Sequence, residues 1–121
     1  MIGYRIVREE ERCFFELIPG NNNNQPIGRS KYYNDVLECR KGVQRFRDFV
    51  LQNNIKSVVS PFVMIDRALT PYGTNGFVYQ YIYEDEILFC SRVLEQKNNC
   101  NKMIASNFKK IESYALNEIA E

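Results

Sequence analysis

The sequence predicts an α+β protein built from two tandem β-β-β-α repeats. Three observations predict it. Short segments alternate apolar and polar residues with a period of two. Two longer segments carry apolar residues at three- and four-residue steps, the period of a one-sided helix. The order strand, strand, strand, helix then occurs twice along 121 residues.

The first predicted strand is Gly3 to Arg8 (GYRIVR), with Tyr4, Ile6 and Arg8 on one face and Arg5 and Val7 on the other. Glu9-Glu10-Glu11 is a solvated turn. Cys13 to Ile18 (CFFELI) returns as a strand, placing Cys13, Phe15 and Leu17 on one face and Phe14, Glu16 and Ile18 on the other. Pro19 to Pro26 (PGNNNNQP) is a loop, because Gly and Asn tolerate left-handed backbone and proline breaks pairing. Pro26 to Ser30 forms a short third strand. Asp35 to Gln52 is the clearest helix. Asp35 is a good N-cap with Glu38 at capping-box spacing, and Val36, Cys39, Val43, Phe46 and Val50 make one apolar stripe.

The second half follows the same order. Ser57 to Asp66 is strand-like on both sides of Pro61, which implies an edge or a break there. Ala68 to Asn75 reads as a loop. Gly76 to Tyr83 (GFVYQYIY) alternates, with Phe77, Tyr79, Tyr81 and Tyr83 on one face. Glu84-Asp85 is a tight turn and Glu86 to Ser91 the returning strand. Lys97 to Ile111 carries a helical stripe through Cys100, Ile104, Phe108 and Ile111, with Met103 beside it. Ser113 to Ile119 fits a last strand and a fraying helix end equally.

A shift of 61 residues brings Ile27 onto Leu88, Ser30 onto Ser91, Lys31 onto Arg92, Cys39 onto Cys100, Lys41 onto Lys102 and Val43 onto Ile104. With a three-residue shorter turn in the second copy, Phe15 meets Tyr79 and Leu17 meets Tyr81. The repeats span about 3–56 and 57–119. In FELIPGN, PIGRSKYY and CRKGVQRF of the first copy, and in YQYIYEDEILFCSR and CNKMIASNF of the second, the sequence resembles the YegP-like family of small bacterial proteins of unknown function. The resemblance implies a single antiparallel sheet with two helices packed on one face, and the strand after each helix exchanged between repeats. Three features depart from the family pattern. Basic Lys31 and Arg92 follow the strand-end serines, the helix glycine is kept at Gly42 but is Met103 in the second copy, and both long loops are enlarged. The family supplies no activity to transfer.

Composition bounds the function. Hydrophobic residues make up 45% and charged residues 26%, enough for one core and one domain over 1–121. No apolar run is long enough to span a membrane. Met1 to Arg12 lacks the pattern of a signal peptide, so a cytoplasmic location is the default expectation. The net charge is +1. Ten basic and seven acidic groups fall in residues 1–60, six and eight in 61–121, too small an asymmetry for a nucleic-acid footprint.

There is no histidine, which removes the commonest general base and zinc nitrogen ligand. Cys13, Cys39, Cys90 and Cys100 contain no CxxC pair. Cys39 and Cys100 fall on apolar stripes, where free cysteine is a core filler, while the exposure of Cys90 is left open by strand alternation. Ser30 and Ser91 have no adjacent base and suit local backbone bonding. Glu84-Asp85-Glu86 lacks the spacing of a calcium loop, and Gly73-Thr74-Asn75-Gly76 lacks a P-loop lysine. The expectation is therefore no catalytic, cofactor-binding or metal-binding residue and no cofactor.

The expected role is a non-enzymatic interaction or structural module. A helix-free sheet face bearing Phe14, Ile18, Val78, Ile82 and Leu88 would associate with a second copy or an unidentified protein. The alternative is RNA or single-stranded DNA binding through the sheet and basic helix residues, with Arg40 and Arg47 joining the candidate surface. The tyrosine row 79, 81, 83 falls at positions equivalent to Phe15 and Leu17, beneath the helices, which counts against stacking on bases.

Overall fold

A computed structural model of the chain describes residues 3–20 and 25–120, with backbone alone at 117–120. Residues 21–24 of the predicted Asn-rich loop and the terminal residues 1, 2 and 121 lie outside the described residues. The elements run β1 (Gly3–Glu9), β2 (Arg12–Ile18), β3 (Gly28–Ser30), α1 (Val36–Gln52), β4 (Val63–Leu69), β5 (Asn75–Tyr83), β6 (Glu86–Ser91), α2 (Lys97–Ser113) and β7 (Leu116–Ala120). They form an α+β fold with one sheet, in the order β4-β5-β6-β3-β2-β1-β7.

Local signals explain most boundaries. The tight turn between β1 and β2 puts Glu10 at φ 57, and Glu84 and Asp85 at φ 50 and 63 close the β5–β6 hairpin. The Asp35 carboxylate accepts the Glu38 backbone N–H at 2.8 Å, the N-cap bond its position predicts. Glu38 does not complete a capping box; its side chain lies 3.5 Å from Lys41 instead.

Four expectations need correction. β3 covers only Gly28–Ser30. Residues 57–62 form turns, not strand: Pro61 has no N–H to pair, and the Ser57 and Ser60 hydroxyls accept the N–H groups of Val59 and Phe62. β4 instead runs on through Leu69, shortening the predicted loop. Finally, the sheet is antiparallel except at one edge, where β7 lies parallel to β1. The chain after α2 is thus a strand. It pairs with the first strand of the chain because α2 ends beside it, with the Tyr4 hydroxyl donating to the Ile111 carbonyl at 2.8 Å.

The core lies between the sheet and both helices. Tyr4, Ile6, Phe15, Leu17, Tyr79, Tyr81 and Phe89 meet Cys39, Val43, Phe46 and Val50 of α1 and Cys100, Ile104 and Ile111 of α2. Phe46 is the hub, stacked on Phe89 at 5.0 Å and edge-on to Tyr81 at 5.2 Å. One buried position was hidden by its polarity. Asn107 completes the spacing Cys100, Ile104, Asn107, Ile111, is fully buried, and donates to the Tyr79 hydroxyl at 2.5 Å. The partly exposed Phe108 sits beside this stripe.

The two serines make the same bonds. Ser30 Oγ accepts the Phe15 N–H at 2.9 Å and donates to the Lys31 carbonyl at 2.8 Å. Ser91 Oγ accepts the Tyr79 N–H at 2.9 Å and donates to the Arg92 carbonyl at 2.8 Å. In each place the strand is leaving its neighbour, and the hydroxyl replaces a ladder bond. Beyond each serine the chain pairs again through one isolated bridge, Cys13 with Tyr33 and Phe77 with Leu94.

Replacing Ser30 or Ser91 by alanine strands a buried backbone N–H, so each variant should lose about 2 kcal/mol of unfolding free energy. Equal urea midpoints for wild type and both variants would contradict this. Alkali should also destabilise the fold. Burial pushes the Cys39 thiol from 9.0 to about 12 and the Tyr33 phenol from 10.0 to about 12, and raises Tyr4, Tyr79 and Tyr81 as well. Above about pH 9 the unfolded chain gives up these protons while the folded chain keeps them, so stability present below that pH falls as pH rises. The urea midpoint should be lower at about pH 10.5 than at about pH 8.

Candidate interaction surface

The helices cover one side of the sheet, and among the described residues no layer covers the other. Side chains on the helix-free side follow from strand register. A single cross-strand row runs Arg5, Glu16, Arg29, Cys90, Gln80 and Met64, each opposite the next. The row is mostly polar, and its first pair is an ion pair with Arg5 Nη2 2.6 Å from Glu16 Oε1. In the middle of this side lies a groove of about 380 Å³. Glu16, Arg29 and Cys90 contribute to it from the row, Val78 from β5, and Pro26 and Val93 from the flanking segments.

The predicted surface residues separate onto two sides of the molecule. Phe14, Ile18 and Val78 fall outside the main core and take the helix-free side, yet all three are buried. This corrects the expectation of an open apolar face. Phe14 is sealed by neighbours: the Tyr32 ring meets it edge-on at 5.7 Å and the Arg29 guanidinium lies 5.1 Å from its centre. Arg12 in turn lies 3.9 Å from the Tyr32 ring centre. Ile82 is half-buried. Leu88 changes sides, because the register slips between Tyr81–Phe89 and Ile82–Ile87 and leaves Leu88 unpaired. It packs toward the core, and Ile87 takes its place beside Ile82, 43% exposed. Met64, at 52%, is a second exposed apolar side chain on this side.

Arg40 and Arg47 belong to α1, on the opposite side. Arg40 is exposed. Arg47 is held between the helices, donating from Nη2 to the Glu112 carbonyl at 2.6 Å, with its guanidinium 5.8 Å from the Tyr4 ring centre. Tyr79 and Tyr81 are fully buried beneath the helices. A strand carrying an aromatic row and a helix carrying a basic row therefore do not make one surface.

Arg12, Arg29 and Tyr32, which shape the helix-free side, were absent from the predicted surface. The alternation of β3 places Arg29 there, but Tyr32 lies beyond the strand, where no periodicity applies. No group of three potential metal ligands occurs among the described residues, and no helix among them is long and apolar enough to cross a membrane.

Cys90 is half-buried, and its thiol is raised above the ordinary value by burial, against smaller lowering effects of Gln80 and Arg29. It donates to the Ser91 carbonyl at 3.5 Å. A thiol held protonated is a poor nucleophile. Iodoacetamide should therefore modify Cys90 before the buried Cys13, Cys39 and Cys100, but more slowly than an unhindered cysteine. Mass spectrometry finding Cys39 or Cys100 labelled first in the native protein would contradict this.

Known structures of this shape exist. No family model and no curated protein matches the chain. The solution structure of the E. coli protein of unknown function yegP superposes with a TM-score of 0.68 at 14% identity, covering 100% of this chain and 97% of that one. A UPF0339 protein from Shewanella oneidensis superposes with a TM-score of 0.61 at 16% identity, covering 98% and 92%. The chain shares the fold of these YegP-like proteins, the first of them a protein of unknown function.

Proposed function

We propose that the chain is a non-enzymatic interaction module that works through the helix-free side of its sheet, with a second copy as the first partner to test. The observation that carries this is the one-sided layering. Among the described residues helices cover only one side, and the other presents exposed Met64 and Ile87 and half-buried Ile82. Exposed apolar side chains grouped on one side favour association, and a net charge of +1 sets up little repulsion between copies.

The reading includes the origin of the fold. The paired bonding of Ser30 and Ser91 supports a duplication of residues 3–56 as 57–119. Phe46 of the first half on Phe89 of the second supports a single domain, because neither half closes its core alone.

Light scattering from micromolar to millimolar protein should give the mass of a dimer at the upper end. Met64→Lys and Ile87→Lys, both surface changes, should return it to monomer. Monomer mass throughout would reject self-association. A nucleic-acid role would draw on the Arg12, Tyr32 and Arg29 cluster rather than on the buried tyrosines. Titration with mixed-sequence single-stranded RNA at low salt separates the two readings, since salt-sensitive binding there would assign the face to nucleic acid instead.

A further inference from the structure

A second hollow lies on the helix side, between α1 and the β5–β6 hairpin, with a volume of about 330 Å³. That is enough for a small molecule of one or two rings. Its floor is aromatic and aliphatic, made by Phe46, Phe49 and Leu88. Tyr33 and Tyr83 form the walls, and Tyr83 is 46% exposed although it lies 5.3 Å from the Phe49 ring.

One residue lets the Tyr33 ring line the slot. Gly42 is buried in α1, and a β-carbon there would run into the Tyr33 ring. In the shift of 61 residues Gly42 corresponds to Met103 and Tyr33 to Leu94. There the thioether side chain is packed against the core, and the corresponding hollow has no aromatic lining. The bulge at Leu88 adds the second contribution, by turning that side chain into the slot.

The rim supplies the polarity. Lys31 Nζ is held by Glu86 Oε1 at 2.8 Å, so these two charges offset each other. Arg45, also on the rim, has no carboxylate partner among the described residues. Its charge acts on the Tyr33 phenol, which burial nevertheless keeps protonated and able to donate. A surplus cation and a phenolic donor therefore sit at the mouth of an aromatic slot.

We propose that this slot binds a small carboxylate with a flat apolar body, the ring lying on Phe46, Phe49 and Leu88 and the carboxylate meeting Arg45 and Tyr33. Guanidinium and carboxylate match in geometry as well as charge. The site is separate from the helix-free side, so its failure leaves the association reading standing, and the reverse.

The test is a two-dimensional amide NMR titration with 3-phenylpropionate and indole-3-acetate, and with 3-phenylpropanamide as the neutral control. Shifts should be confined to residues around Tyr33, Gly42, Arg45, Phe49 and Leu88, and the carboxylate should bind roughly fivefold tighter than its amide. Arg45→Gln, a change on the exposed surface of α1, should bring the acid down to the amide's affinity and leave the amide unchanged. The proposal is overturned if neither acid shifts these resonances at millimolar concentration. It is equally overturned if the shifts are scattered over the molecule, or if acid and amide bind alike and Arg45→Gln alters neither.

Discussion

The rest of the sheet depends on how closely a strand of three residues can approach its neighbour. β3 is the only strand between the hairpin of the first half and that of the second, pairing Gly28 with Ser91, Arg29 with Cys90 and Ser30 with Phe89. A β-carbon at Gly28 would run into the Cys90 carbonyl, the Phe89 ring and the Ser91 α-carbon. Glycine there permits the contact. Because β6 comes that near, Phe89 reaches both Phe15 and Phe46, and aromatic side chains from the two halves share one core. Ser30 and Ser91 let the short pairing end without leaving buried N–H groups unsatisfied.

The two halves differ in what surrounds them. Ile55 after α1 and Leu116 after α2 occupy corresponding places. After α2 the chain is free to lie along β1, and it does so as β7. After α1 the serines and Pro61 turn the chain before it can pair, and β4 begins only at Val63. β4 is therefore one end of the described sheet. Its edge is blunted by Asp66, whose carboxylate accepts the Arg67 N–H at 2.8 Å, and by charges at the middle of the strand. The same contrast, at Gly42 and Met103, leaves an aromatic-lined slot in one half and a hollow without aromatic lining in the other.

The candidate surface was legible in part. Period-two alternation put Phe14, Ile18, Val78 and Ile82 on the side away from the helices, since side-chain direction in a strand is a local property. Their cover was not legible. Phe14 is closed by Arg29 and Tyr32, which are neither its sequence neighbours nor members of its strand. Leu88 misled for a related reason: counting by twos fails at a bulge, and the bulge is set by the fit of β5 to β6. Arg40 and Arg47 were placed on the correct helix, but the sequence has no means of showing that α1 turns them away from the sheet's open side.

What the sequence determined by itself is what depends on near neighbours in the chain. The α1 stripe, the Asp35 cap, the two hairpins and the β-β-β-α order all follow from spacing over a few residues. Tertiary structure alone decided the parallel docking of β7 and the sealing of Phe14. It also decided the burial of Asn107, whose polarity would otherwise keep it outside, through the hydroxyl of Tyr79 waiting on a distant strand. Each of these rests on a partner many residues away, and the energy of such a pairing exists only once the sheet has brought the partners together.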